Sequence, residues 1–197
     1  MAALTVFEKA LNHAMLYEVG GFWNLDTPGA RDGSIATAAT RRANGYNNTP
    51  GDRGGETKYG IAKKAHPELD IAKLDWEAAK RVYQKQYWFP ADCEDIASMG
   101  MPRLALLHFD GAVNSGISRA SKWLQIAIGA TPDGDIGPAT LAKLSSADEH
   151  VTINKICDLR VAFYRQIVAN DPSQAKFLKG WLRRIEENRT YLNGLAV

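Results

Sequence analysis

Apolar residues recur at helical spacing through most of the chain, and the first run sets the pattern. Thr5 and Glu8 stand just ahead of it, three residues apart. In such a capping box each side chain satisfies the other residue's free backbone N–H, so a helix is predicted from about Val6. Phe7, Leu11 and Ala14, spaced by four and three, mark its inward stripe. Four residues further along the same stripe stands Glu18, and Gly20 and Gly21 are expected to stop the helix.

The periodicity then lapses. From Phe22 to Thr57 the breakers Pro28, Gly29, Gly33, Gly45, Pro50, Gly51, Gly54 and Gly55 predict an irregular stretch, and a small domain keeps so long a loop for function or movement. Thr57 to Ile61 reads as a short strand or hairpin edge, and Asp75 as the cap of a helix with the stripe Trp76, Ala79, Tyr83 and Tyr87. Pro102 precedes a helix carrying Leu104, Leu107, His108, Gly111 and Ala112 that ends near Gly116; Ser118 is expected to cap the next, which runs through Trp123 and Leu124 to Gly129. Asp133, Gly134 and Asp135 form a tight turn and Pro138 opens a short helix. A long helix follows from about Asp148 to Ala169, with Ile156, Leu159, Phe163 and Ile167 inward, and the last carries Phe177, Trp181 and Ile185. The fold class is therefore mainly α, with a small β-hairpin or loop. No repeat, low-complexity tract or linker interrupts the chain, which reads as one globular unit.

Composition narrows the function classes. With 197 residues, 45% of them hydrophobic and 23% charged, the chain can bury a core without disulfides or metal. No apolar run approaches the roughly 20 residues that span a bilayer, and the first ten residues lack a basic segment followed by an apolar one, so neither stable membrane association nor a secretory leader is expected. Cys93 and Cys157 have no CxxC spacing and read as reduced thiols. His13, His66, His108 and His150 form no HExxH pattern, so no metal and no cofactor is expected. Residues 96–197 hold 12 Lys+Arg against 9 Asp+Glu, whereas residues 1–95 hold 12 against 13. That bias suits a polyanionic partner and is too weak to imply nucleic acid.

A carboxylate on the apolar face of a helix costs free energy when ionised, so burial at Glu18 favours a retained proton, which is what a general acid needs. The polar, glycine-rich loop before Thr57 supplies a contrasting acid, Asp52, expected to be ionised. Two carboxyls in unlike surroundings are the minimum apparatus for glycoside hydrolysis, and the Thr57 hydroxyl offers a further contact for a water. From the residues alone a turn loop with an Asx-type Asp52, and a packing or surface role for Glu18, stay open.

Motifs in order along the chain add a resemblance. Glu18-Val19-Gly20-Gly21-Phe22 and Pro50-Gly51-Asp52-Arg53-Gly54-Gly55-Glu56-Thr57-Lys58-Tyr59-Gly60-Ile61 resemble the catalytic stretch of glycoside hydrolase family 108, which holds bacteriophage endolysins and related bacterial N-acetylmuramidases. Phe109 to Gly116, Trp123-Leu124-Gln125, Asp133 to Leu141 and Gly180 to Arg184 resemble the peptidoglycan-binding region that completes such proteins. The resemblance implies a lysozyme-like α+β fold, hydrolysis of the β-1,4 bond between N-acetylmuramic acid and N-acetylglucosamine, and Glu18 as the acid. Asp52 and Thr57 also match the spacing of an Asp and a Thr in phage-type lysozymes. Tyr59, Asn114, Arg183 and Arg184 are the expected substrate contacts. The division implied is a catalytic region over 1–95 and a helical wall-binding region over 96–197 packed on it.

One departure stands out: an apparent insertion at about residues 25–45 between Glu18 and Asp52. The expected partner is bacterial peptidoglycan, met by a monomer made in the host cytoplasm before lysis and acting on the wall from the periplasm. Two rivals fit the same residues. A lytic transglycosylase would cut the same bond with one acid, and a non-catalytic virion component would only bind the wall. A peptidase built on Cys93 is disfavoured, because Asp92, Glu94 and Asp95 surround the thiol with negative charge.

Overall fold

Helix α1 (Val6–Glu18) begins where its cap dictates: the Thr5 N–H donates to Glu8 Oε2 (3.1 Å) and the Glu8 N–H to Thr5 Oγ1 (3.2 Å). Phe7, Leu11 and Ala14 are buried along its inner face, as their spacing predicts. The computed structural model describes residues 4–19, 23–49 and 54–195. The expected helix stop at Gly20 and Gly21, and the whole of Asp52, lie outside those residues. The chain forms two compact units, Leu11–Gln86 and Met1–Ala10 with Tyr87–Val197.

Within Leu11–Gln86 the stretch expected to be irregular contains a helix, α2 (Ala38–Asn44). Thr37 and Thr40 cap it reciprocally, and Thr40, Ala43 and Asn44 are its buried residues. The helix is short, and its inward side is half polar, so it offers no apolar periodicity to read. A two-stranded antiparallel sheet follows, β1 (Thr57–Lys58) and β2 (Ile61–Ala62), in the register Thr57↔Ala62 and Lys58↔Ile61. Tyr59 (φ 52°) and Gly60 (φ 75°) join the strands, and two successive positive φ values define the two-residue turn that matches the twist of a hairpin. Asp75 caps α3 (Trp76–Tyr83) by accepting the Ala78 N–H at 2.7 Å.

The predicted α3 stripe holds through Trp76, Ala79 and Tyr83 and then fails, because Gln84–Trp88 is a π-helical turn. The wider turn shifts the register by one, so that Trp88 and not Tyr87 is buried. In the second unit Trp88 meets Phe7 and Phe109 at ring-centroid distances of 5.4 and 5.8 Å.

The second unit is helical: α4 (Cys93–Ser98), α5 (Pro102–Ser115), α6 (Ile117–Ala127), α7 (Pro138–Leu144), α8 (Glu149–Asn170) and α9 (Ala175–Gly194). α5 is its axis, buried without interruption from Leu104 to Ala112. Glu149, the first residue of α8, accepts the Leu104 N–H (3.0 Å) and so satisfies a free donor of α5's first turn.

Three expectations change here. Ser118 lies inside α6, whose cap position is Gly116. On α8 the buried set is Thr152, Ile153, Ile156, Cys157, Arg160 and Tyr164, so Leu159, Phe163 and Ile167 are only half-buried. The face is turned because the core accepts an arginine, which an apolar pattern cannot announce. On α9 Ile185 is buried as expected, whereas Phe177 is 47% exposed. Both cysteines are free thiols in the interior, where burial raises the Cys157 pKa to about 11.

Candidate functional site

Glu18 is the last residue of α1 and is half-buried. The hairpin turn lies against its stem: a Cβ placed on Gly60 would stand 3.2 Å from Glu18 Cβ and 2.6 Å from the Tyr83 hydroxyl. Only a residue without a side chain, at ease with positive φ, fits there. The Tyr83 hydroxyl donates to the Tyr59 carbonyl (3.0 Å), which ties α3 to the same turn. Thr57 is three residues from Gly60, so the chain holds the two within about 10 Å. Its N–H donates to Asn47 O (2.8 Å) and its O accepts the Asn47 N–H (2.9 Å), while its hydroxyl lies 3.3 Å from Gly55 O. Glu18 and Thr57 are thus brought into one neighbourhood by the hairpin.

Next to Thr57, the Tyr46 hydroxyl donates to Glu56 Oε1 (2.7 Å), and this bond to an anion raises the pKa of Tyr46. On the other side the Lys58 side chain is buried, its Nζ donating to Gly33 O and to Ala72 O (2.7 Å). Burial lowers the Lys58 pKa, opposed by the charges of Glu56, Asp75 and Asp70. Gly33 permits this clamp, since a Cβ there would meet Leu74 O at 2.2 Å. The Trp76 N–H donates to Arg31 O (2.9 Å), and the Tyr59 hydroxyl donates to Ala30 O. The 25–45 segment is therefore built into the hairpin's support through Ala30, Arg31 and Gly33.

Tyr59 departs from its expected role as a substrate contact. It is fully buried, and its pKa is raised by burial and by the charges of Asp75 and Asp32. Its ring packs on Trp23 (6.1 Å) and Trp76 (5.6 Å), which makes it a support of the turn.

The other three expected contacts lie in the second unit. Asn114 is exposed at the end of α5, its Oδ1 accepting the Tyr164 hydroxyl and that of Ser115 (3.3 Å). Arg183 is exposed and pairs with Glu187 at 3.6 Å. Arg184 is different: its Nε and Nη2 both donate to Asp110 Oδ1, at 3.0 and 2.8 Å. Asp110 Oδ2 accepts from Arg160 Nη2 (2.8 Å) and Asn188 Nδ2 (2.9 Å). Burial pushes the Asp110 pKa up, but Arg160 and Arg184 overcome it and hold the pKa at about 2. Arg184 thus neutralises a buried carboxylate, which removes it from the expected set of surface contacts. Nothing in the sequence marks Arg160 as the buried partner of Asp110, because a fully buried arginine in a run of apolar residues looks like a solvated position.

The tight turn at Asp133 is organised from α6. Gln125 Nε2 donates to Asp133 Oδ1 (2.6 Å) and Asp135 O (2.8 Å), and its Oε1 accepts the Gly134 N–H (2.9 Å). This couples the Trp123-Leu124-Gln125 motif to the Asp133 to Leu141 motif as one structural device. Among the described residues no cluster of three or more His, Cys, Asp or Glu could hold a metal ion, and no helix is long and apolar enough to cross a membrane.

Comparison with known proteins gives this arrangement a class. Residues 37–116 match the family model described as glycosyl hydrolase 108, and residues 119–186 match a predicted peptidoglycan domain. The structure of Brucella abortus SagA is similar, with a TM-score of 0.60 and 28% identity over 75% of this chain and 85% of that one. No curated protein matches. The protein is a glycoside hydrolase, and its substrate is peptidoglycan. The glycosyl hydrolase match takes in Asp52, Thr57, Tyr59 and Asn114 and begins downstream of Glu18.

Proposed function

We propose that this enzyme is an endolysin-type muramidase that hydrolyses the β-1,4 bond between N-acetylmuramic acid and N-acetylglucosamine, with Glu18 as its general acid. The observation that supports this is the seating of the Tyr59–Gly60 turn on the Glu18 stem, which holds a half-buried carboxyl at a helix end beside the strand that carries Thr57. In this reading Glu18 donates its proton to the glycosidic oxygen as the bond to the anomeric carbon breaks. Asp52 and Thr57 hold a water on the opposite face of the sugar, and Asp52 takes its proton as it attacks. Such a reaction inverts the anomeric carbon and asks for a carboxyl separation of roughly 6.5–9.5 Å. Residues 1–95 carry the chemistry in this proposal and residues 96–197 hold the wall, with the exposed Asn114 and Arg183 as surface contacts. The protein acts as a monomer, made in the host cytoplasm and released to the periplasmic face of the wall during phage-induced lysis.

The test is clearing of purified peptidoglycan by wild type, Glu18→Gln and Asp52→Asn, with mass analysis of the fragments. Glu18→Gln is expected to lose nearly all turnover, a loss of several kcal/mol in transition-state stabilisation, with wall binding retained. Reducing muramic ends are expected, and anhydro ends would instead assign a transglycosylase. Wild-type clearing by Glu18→Gln would overturn the assignment. Wild-type clearing by Asp52→Asn alone would move the water-holding role to Glu56.

A further inference from the structure

A groove of about 360 Å³ opens on the second unit, where the end of α6 meets the middle of α8. Its floor is Ile126, Ala127, Leu159 and Ala162, and its polar members are Lys155 and Asp158. The volume lies in the range of small-ligand sites, and the lining has their usual form of apolar walls with few polar groups. Ile126 is 48% exposed on it, a large apolar side chain left to solvent. All six lining residues fall within the stretch that matches the predicted peptidoglycan domain.

The lining specifies a chemistry. Two branched and two small apolar side chains make a floor that accepts methyl groups. Lys155 stands at the carboxyl end of α6, where its Nζ donates to Ala127 O (3.3 Å), so one cation sits on the rim of the groove. Asp158 is bound through Oδ1 to Arg189 Nη2 (2.7 Å), yet its side chain remains 74% exposed. A cation, an anion and an apolar floor together complement a short peptide that carries alanyl methyls, a free carboxylate and a side-chain amine. The stem peptides of peptidoglycan have that composition, whereas its N-acetylated sugars offer no amine.

We infer that the α6–α8 groove binds the stem peptide of peptidoglycan, with Lys155 facing a carboxylate, Asp158 the amine and Ile126, Ala127, Leu159 and Ala162 the alanyl methyls. The inference rests on the wall-holding role proposed above for residues 96–197, and it adds a peptide-reading site separate from the glycan chemistry of Glu18.

The test titrates wild type, Lys155→Glu and Ala162→Trp with the synthetic tetrapeptide L-Ala-γ-D-Glu-meso-diaminopimelate-D-Ala, followed by amide chemical shifts and calorimetry. Both positions are exposed, so the folded state is expected to survive either change. Saturable binding to wild type that perturbs residues 126–127 and 155–162 is expected, about tenfold weaker in Lys155→Glu and abolished by the indole that fills the groove in Ala162→Trp. Cleavage of peptide-free glycan strands by all three proteins is expected to be equal, which separates this site from the catalytic proposal: lost cleavage in wild type would sink that proposal and leave peptide binding standing. Absence of saturable binding, or binding indifferent to both substitutions, would overturn the inference. Self-association of the wild type that Ala162→Trp removes would assign the groove to a second copy and overturn it as well.

Discussion

Gly60 has no side chain at a point where any side chain would collide with two groups at once. A methyl there would press on the Tyr83 hydroxyl and the Glu18 stem, in a backbone region that L-residues enter at a cost of about 1 kcal/mol. With Glu18 in the role proposed above, Gly60→Ala is expected to reduce turnover tenfold or more, since a displacement of about 1 Å at such a group is enough for these losses. Wall binding and overall helicity should change little, and clearing rates set beside pull-down on purified wall would check it. At this scale the position of Glu18 at the end of α1 was legible, because it continues a stripe that Phe7, Leu11 and Ala14 announce. It was misleading at Tyr59 and Arg184, whose polar atoms suggest a surface but whose partners, the Ala30 carbonyl and Asp110, lie far away in the chain.

Helix α5 places two titratable side chains inside the protein, and they make stability depend on acid in two steps. Burial lowers the His108 pKa to about 4, so its neutral form is the one that packs. Because the unfolded chain binds that proton near pH 6.5, the stability His108 contributes is complete above 6.5 and falls by about 3 kcal/mol as pH drops to 4. Asp110, held at about 2 against an ordinary carboxylate value, adds a further loss between about pH 4 and 2. Urea melts at pH 7, 5.5 and 4 are expected to show the first decline in wild type and a nearly flat response in His108→Gln; an equal slope in both would exclude His108 as the cause. Elements with local signals were legible in advance: the Thr5–Glu8 box started α1, Asp75 started α3 and Pro102 opened α5. Those that failed depend on distant partners. α2 is secured by two threonines and a half-polar face, the π-turn displaces Tyr87 in favour of Trp88, and α8 rotates because Arg160 is needed by Asp110.

For the molecule in its proposed role as a binder of the wall, Arg183 and Arg184 are adjacent in sequence and unequal in consequence. Arg183→Ala is expected to leave stability within about 0.5 kcal/mol while weakening wall affinity at low salt. Arg184→Ala removes two donors from a buried carboxylate and is expected to cost about 2–3 kcal/mol of stability. Urea melts beside pull-downs at two salt concentrations would separate them, and equal destabilisation by both substitutions would contradict this account. The composition of the two units bears finally on how the chain is made. A ribosome releases the amino end first, so Phe7 emerges long before Trp88 and Phe109, the rings that enclose it. At about 5–20 residues per second, the 102 residues from Phe7 to Phe109 take roughly 5–20 s to synthesise. During that interval Leu11–Gln86 already has its own partners, while the first turn of α1 carries the Thr5–Glu8 box and awaits the rings that enclose Phe7. The amino-terminal segment is thus the earliest part of its unit to be translated and among the last to be packed.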